Sequence, residues 1–322
     1  MFLFSYLAFG IFFGIFSMSY LLGKNIVATV TYYDVMDFPV TAFEIWKHLL
    51  IHDRENAVEP VSLAEVWKML HTEPLAGRIS EYHGFYCLPG RETLVALRIQ
   101  KEKLSVKKLQ GMRRLARILQ YVPYVRMIGA TGSLAMKHGG NGSDWDMFVV
   151  LRSGRIWMGR TILTLFLHLI GKRRHGKKVS NRACLNYFVT DDNLEIGTKD
   201  LYSAHEYRFL IPLLSFPLFQ IFELKNRWIR RYQPNFSTTL LASQWLVQET
   251  RLAKGTRNFL ERCMETFDLE EWLGSWQKKK IERNPKTHLE GSLIEATNRA
   301  LVFLPRPRGP MVFQKFKERL SM

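Results

Sequence analysis

VRMIGATGSLAMKHGGNGSDWDMFVVL, Val125 to Leu151, is the stretch whose reading decides the fold. Its opening, Val125–Ile128, predicts a strand, and a glycine turn follows at once, with Gly132-Ser133 where a short helix would begin. A polar glycine loop then leads to Asp144-Trp145-Asp146 at the head of a second apolar run, Met147–Leu151. Residues two apart on a strand point to one face, so the two carboxylates are expected side by side. The turn is expected to offer backbone N–H groups and the Ser133 hydroxyl at a helix N-terminus, a place suited to phosphate. Paired carboxylates bind Mg²⁺, which commonly shares its shell with substrate phosphates.

Gly132-Ser133, ten residues, then Asp144-x-Asp146 resembles the signature of the nucleotidyltransferase superfamily that includes DNA polymerase beta, poly(A) polymerases, CCA-adding enzymes and kanamycin nucleotidyltransferase. The resemblance spans Leu115 to Glu195. It implies an α/β (α+β) domain with a mixed sheet and flanking helices. It also implies that Asp144 and Asp146 are the catalytic metal ligands for one or two Mg²⁺ ions, and that Gly132 and Ser133 hold the phosphates of a nucleoside triphosphate, ATP being the first candidate. A third carboxylate is expected on the strand after Asp-x-Asp. That strand, Ala183–Val189, offers Asn186 on the alternating face Cys184, Asn186, Phe188, which leaves Asp191 at its end as the fallback metal ligand and Glu195 as a weaker one.

Two other readings fit the same stretch. One is an ordinary strand–turn–helix with two exposed acids. The other is a dinucleotide fold, since Gly129-Ala-Thr-Gly132-Ser-Leu-Ala135 resembles a short-chain dehydrogenase turn. That fold, however, puts its acid at the far end of the second strand, and the one Tyr-x-x-x-Lys spacing here, Tyr20 to Lys24, lies far upstream.

Around this centre, 322 residues leave room for two or three modules with real cores. A hydrophobic share of 47% argues for a globular rather than a disordered chain. The net charge of +17 favours anionic partners: nucleotides, nucleic acid or an anionic membrane face. Cys87, Cys184 and Cys263 are odd in number and far apart, which indicates neither a disulfide framework nor a zinc site and fits a reducing compartment.

Met1 to Gly23 carries no charged side chain. As a helix it would run roughly 35 Å, enough to span a bilayer. It lacks the basic start of a secretory signal, and the basic bulk that follows would keep the body cytoplasmic, tethered to the inner face if the segment inserts. Membrane contact is expected only through residues 1–23. The alternative is a misassigned start, with Met18 the true first residue. A chain beginning at Met18 is expected to fold, because the cores lie beyond Ile26.

Residues 26–98 read as winged-helix-like. Thr41-Ala-Phe-Glu44 and Ser62-Leu-Ala-Glu65 have capping-box spacing ahead of two apolar helices, and His83-Gly84 makes a hairpin turn between Arg78–Tyr82 and Phe85–Leu88. His48 and His52 stand four apart without a third ligand and read as surface or core histidines. Arg91–Val122 predicts one long helix with a basic solvated face, which leads into the nucleotidyltransferase-type domain over 99–200. Ile156–Ile170 predicts a sheet-covering helix, and the loop Lys172–Lys178, with five Lys or Arg, predicts contact with RNA, DNA or another anionic acceptor. Residues 201–322 read as a helical domain, with Tyr207–Phe222 a pair of buried helices kinked at Pro212 and Pro217. The functional expectation is transfer of a nucleoside monophosphate to an acceptor hydroxyl. The alternative is a non-catalytic nucleotide- or nucleic-acid-binding regulator on a degenerate domain.

Overall fold

A computed structural model describes residues 20–51, 60–71, 75, 77–235, 244–267 and 269–321. The expectations for the segment before residue 20, Met18 included, and for His52 lie outside the described residues. Among those residues, no helix is long and apolar enough to cross a membrane.

The chain is mixed α/β. Residues 20–34 form α1. The strand β1 (Val40–Thr41) then runs straight into α2 (Ala42–Lys47), followed by α3 (Leu63–Leu70) and the hairpin β2 (Ser80–Tyr82)–β3 (Phe85–Cys87). Both capping boxes form. The Thr41 and Ser62 hydroxyls each accept from the Glu backbone N–H three residues on, at 3.2 Å, and the Glu44 and Glu65 carboxylates accept from the cap N–H at 2.9 and 2.7 Å. Each box satisfies two backbone groups that a helix start leaves without partners. The hairpin turns on two left-handed residues, His83 (φ 52°) and Gly84 (φ 76°), the geometry of a two-residue type I′ turn. The three strands form an antiparallel sheet in the order β1-β3-β2. His48 is buried against Phe209, ring centroids 4.4 Å apart, which is the core placement foreseen as one of its two readings.

The long helix α4 (Leu94–Leu119) links this unit to a six-stranded sheet. Near its start the buried Arg98 pairs with Glu44 of α2 and Glu102 of its own next turn, each at 3.0 Å. Further along, Leu109, Met112, Leu115, Ala116 and Leu119, at helical spacing, pack onto the sheet.

That sheet takes β4 (Val125–Ala130), β5 (Trp145–Leu151), β6 (Ala183–Thr190), β7 (Ile211–Leu214), β8 (Leu293–Ala296) and β9 (Ala300–Leu304) in the order β7-β4-β5-β6-β9-β8. Only β5 and β6 run parallel, joined through α6 (Ile156–Leu169); every other pair is antiparallel. One face buries Trp145, Met147, Val149 and Leu151 beneath α4 and α6. The other buries Phe148 and Val150 beneath α7 (Leu201–Arg208) and α8 (Phe216–Lys225). A strand covered on both faces reads as an unbroken apolar run, and in β5 the exception is Asp146.

Residues 201–322 are not a purely helical domain, because β7, β8 and β9 belong to the main sheet. The supposed kinked helices separate at Phe209, where the chain turns into β7. There Pro212 sits on an edge strand, which tolerates its missing N–H, and Pro217 opens α8 in its first turn. Short apolar runs such as Ala300–Leu304 suit a strand and a helix equally by periodicity; here β9 finds β6 as its partner. Beyond them, α9 (Arg251–Glu265) and α10 (Glu270–Glu282) flank the sheet domain. Glu261 accepts from Tyr124 N–H at 2.7 Å and pairs with Arg126 at 2.8 Å, and α10 packs on α6. The last helix, α11 (Gly309–Leu320), returns to the N-terminal unit. Val312 and Phe316 enter that core and Arg319 pairs with the buried Asp34.

Candidate functional site

The site forms where β4 ends and β5 begins. β4 stops at Ala130, Thr131 N–H donates to Asp146 C=O at 3.1 Å, and Gly132 turns the chain at φ +64°. A Cβ built on Gly132 would stand 2.6 Å from Asp146 Oδ2, so only glycine admits this carboxylate beside the turn. The helix α5 (Gly132–Ala135) is a single turn. The macrodipole expected at its start therefore reduces to a few local N–H groups. The Ser133 side chain is half-buried beside them.

The loop between turn and strand is pinned from α4. Lys108, largely buried, donates to the carbonyls of Gly140, Asn141 and Ser143 at 2.7–2.9 Å and to Ser143 Oγ at 3.0 Å. Trp145 then plunges under α4, where a side chain on Gly111 would come within 2.9 Å of its ring. With Trp145 committed to that face, strand alternation sends Asp144 and Asp146 to the other.

Opposite Asp146, in register on β6, stands Cys184. Ligand atoms of Asp144, Asp146 and Cys184 all lie within 4.8 Å of one another. Arg174 Nη1 donates to Asp144 Oδ2 at 2.6 Å and to Cys184 Sγ at 3.2 Å. Asn186 Nδ2 donates to Asp146 Oδ1 at 3.3 Å, while its own Oδ1 is buried without a partner. Asn186 thus stands beside Asp146, but the face expected to continue to Phe188 does not. The pairing slips between Asp146/Cys184 and Phe148/Tyr187, and this bulge hands the face to Tyr187, which stacks on Phe148, while Phe188 enters the opposite core.

Burial, reinforced by repulsion from Asp144, lifts the Asp146 carboxyl to about 6. Burial beside the same two acids pushes the Cys184 thiol up to about 12, so it stays neutral. Two groups from later in the chain act on this cluster, and neither lies in a recognisable motif. Glu206 of α7, half-buried, is lifted to about 7 by burial and then by the Asp146 charge. The positive charge of Arg308, just before α11, opposes the lift at both carboxyls.

Asp191 and Glu195 lie elsewhere. Parallel pairing sets Asp146 against Cys184 and Leu151 against Thr190, so Asp191 is roughly 23 Å along the strand from the cluster. There it accepts from Ser153 N–H at 2.8 Å, with Arg126 3.9 Å away. Glu195 is exposed and pairs with Lys199. The dinucleotide reading fails on topology: β4 and β5 are antiparallel, whereas a βαβ unit needs parallel strands.

The donor set suits a hard cation. The two carboxylates offer hard oxygen ligands, with the Cys184 sulfur beside them. Arg174 now covers Asp144 and would have to yield it. Compared with protein-family models, curated proteins and solved structures, the chain finds no match.

Proposed function

We propose that this chain is a metal-dependent nucleotidyltransferase, moving a nucleoside monophosphate from a nucleoside triphosphate, ATP first, to an acceptor hydroxyl. The observation that carries the reading is the abutment of the Gly132 turn on the Asp146 carboxylate, which sets the turn beside a pair of acids that could hold a metal ion. Asp144 and Asp146 would hold Mg²⁺, and Asn186, which now meets Asp146 through Nδ2, would have to turn its amide to offer a neutral third oxygen where the resemblance implies a carboxylate. Held there, the ion would supply neutralisation of triphosphate charge for in-line attack of the acceptor hydroxyl on the α-phosphate, with pyrophosphate as the leaving group. Gly132 lets the turn lie against Asp146, and Ser133 with the neighbouring backbone N–H groups would donate to the outer phosphates. Arg174 and Arg308 bring positive charge to the same carboxylates, and Arg174, once off Asp144, is free to meet a phosphate. The N-terminal helix–strand–helix–helix–hairpin order supports the winged-helix-like reading, and the sheet with its covering helices supports the nucleotidyltransferase-type one.

A second reading, a nucleotide-binding regulator without turnover, is favoured by the Arg174–Asp144 ion pair and by an amide in place of the third acid. One screen separates the two. Purified protein is incubated with labelled ATP, GTP, CTP or UTP, Mg²⁺, and total cell RNA, protein or small metabolites. Label appearing in one acceptor pool, and lost with Asp146→Asn, supports transfer; nucleotide binding with no labelled product supports the regulator.

A further inference from the structure

On the other face of β5 from Asp146, α4 and the segment around Lys172 and Asn181 enclose an open groove of about 790 Å³. Its lining includes Lys107, Arg114 and Lys172, and no acid. All three are exposed, and none is ion-paired among the described residues. At the groove wall Trp145 is 4% exposed, and its indole Nε1–H is buried with no acceptor. Gly111 lets the Trp145 ring pack directly against the helix, since a side chain there would strike it.

We infer that this groove binds the sugar–phosphate backbone of a single-stranded nucleic acid. Lys107 and Arg114 stand seven residues apart on one side of α4, about 10 Å along its axis, and Lys172 faces them across the groove. Cations strung out in this way match successive phosphates of a strand better than one compact anion, which several donors would have to meet at a single point. Ile118 and Ile170, 49% and 39% exposed, add apolar surface of the kind riboses and bases rest on. A lipid surface is flat and would not enter the recess. The inference stands apart from the metal chemistry, because Trp145 and Asp146 face opposite sides of the sheet.

The test uses the full chain and labelled single-stranded RNA and DNA of about 12 nucleotides, followed by fluorescence anisotropy from about 50 to 200 mM salt. The triple variant Lys107→Gln/Arg114→Gln/Lys172→Gln is compared with Lys103→Gln/Arg117→Gln/Lys254→Gln, which removes equal charge from exposed positions outside the groove. The groove variant is expected to lose at least tenfold in affinity at low salt and about 2 in the slope of log affinity against log salt. The second variant is expected to stay within about threefold of the parent. Should the groove triple melt lower than the parent, Lys107→Gln alone is expected to lower the slope by about 0.7. Equal losses in both triples would reduce the groove to diffuse surface charge and overturn the inference. So would displacement of the oligonucleotide by poly-glutamate or tripolyphosphate at matched charge, a preference for anionic vesicles, or no oligonucleotide binding at low salt.

Discussion

Gly132→Ala tests the joint between turn and acid most sharply. The added Cβ would lie 2.6 Å from Asp146 Oδ2, 3.3 Å from its Cγ and 3.4 Å from its Cβ, on a backbone at φ +64°. A left-handed L-residue costs about 1–2 kcal/mol, and displacing the carboxylate breaks the Asn186–Asp146 hydrogen bond, worth about 1 kcal/mol more. A loss of about 2–3 kcal/mol in a chain of this size lowers the melting temperature by about 3–4 °C. Moving Asp146 also weakens Mg²⁺ binding, by at least tenfold where two carboxylates share the ion. The controls are Gly140→Ala and Gly142→Ala in the same loop, where a Cβ meets nothing within 4 Å and φ is not left-handed. Thermal melting followed by Mg²⁺ titration calorimetry reads both effects. A Gly132→Ala protein that melts and binds metal like the loop controls would refute the reasoning, since the clash would then be relieved at no cost to Asp146.

Two further outcomes follow from charge and burial. Burial holds the His205 ring down to about 3 and His48 well below its ordinary range, so both stay neutral in the fold while the unfolded chain takes up protons below about 6.5. Their contribution is therefore complete above that pH and is lost as pH falls, at about 1.4 kcal/mol per pH unit for each residue. Denaturant melts between pH 7 and 5 are expected to show this loss, and His205→Gln to lessen it; an unchanged pH slope in that variant would count against the assignment. Arg174→Gln removes the cation that competes for Asp144, so Mg²⁺ alone is expected to bind severalfold tighter and the triphosphate complex to weaken. Unchanged affinity for both ligands would leave Arg174 a mere surface partner.

What the chain disclosed and what it hid have separable physical causes. The strand–turn–acid arrangement was readable because all its parts lie within one stretch, so local rules of alternation and turn chemistry suffice: Gly132 does turn at positive φ, and Asp144 and Asp146 do share a side. The two capping boxes and the His83-Gly84 turn were readable for the same reason. Partnerships between distant segments were not. Lys108 looked like part of a solvated basic face, yet its ammonium holds the loop before Asp144. Nothing around Glu206 or Arg308 points to the acid cluster, on which their charges act only once the chain is folded. Asp191 closes the expected strand but fails on direction: on a parallel neighbour, the end of β6 lies far from the start of β5. The strands β7, β8 and β9 read as helix in the sequence because four or five residues carry no period of their own.

The central claim, a metal-dependent nucleotide site at Asp144 and Asp146, is tested most directly by calorimetric titration of a non-hydrolysable ATP analogue into the wild-type, Asp144→Asn and Asp146→Asn proteins, each with Mg²⁺ and with EDTA. The account predicts that the wild type binds only with Mg²⁺ and that either substitution weakens binding by at least tenfold, about 1.4 kcal/mol, while far-UV circular dichroism stays unchanged. Equal binding with and without Mg²⁺, or undiminished binding by Asp146→Asn, would contradict it.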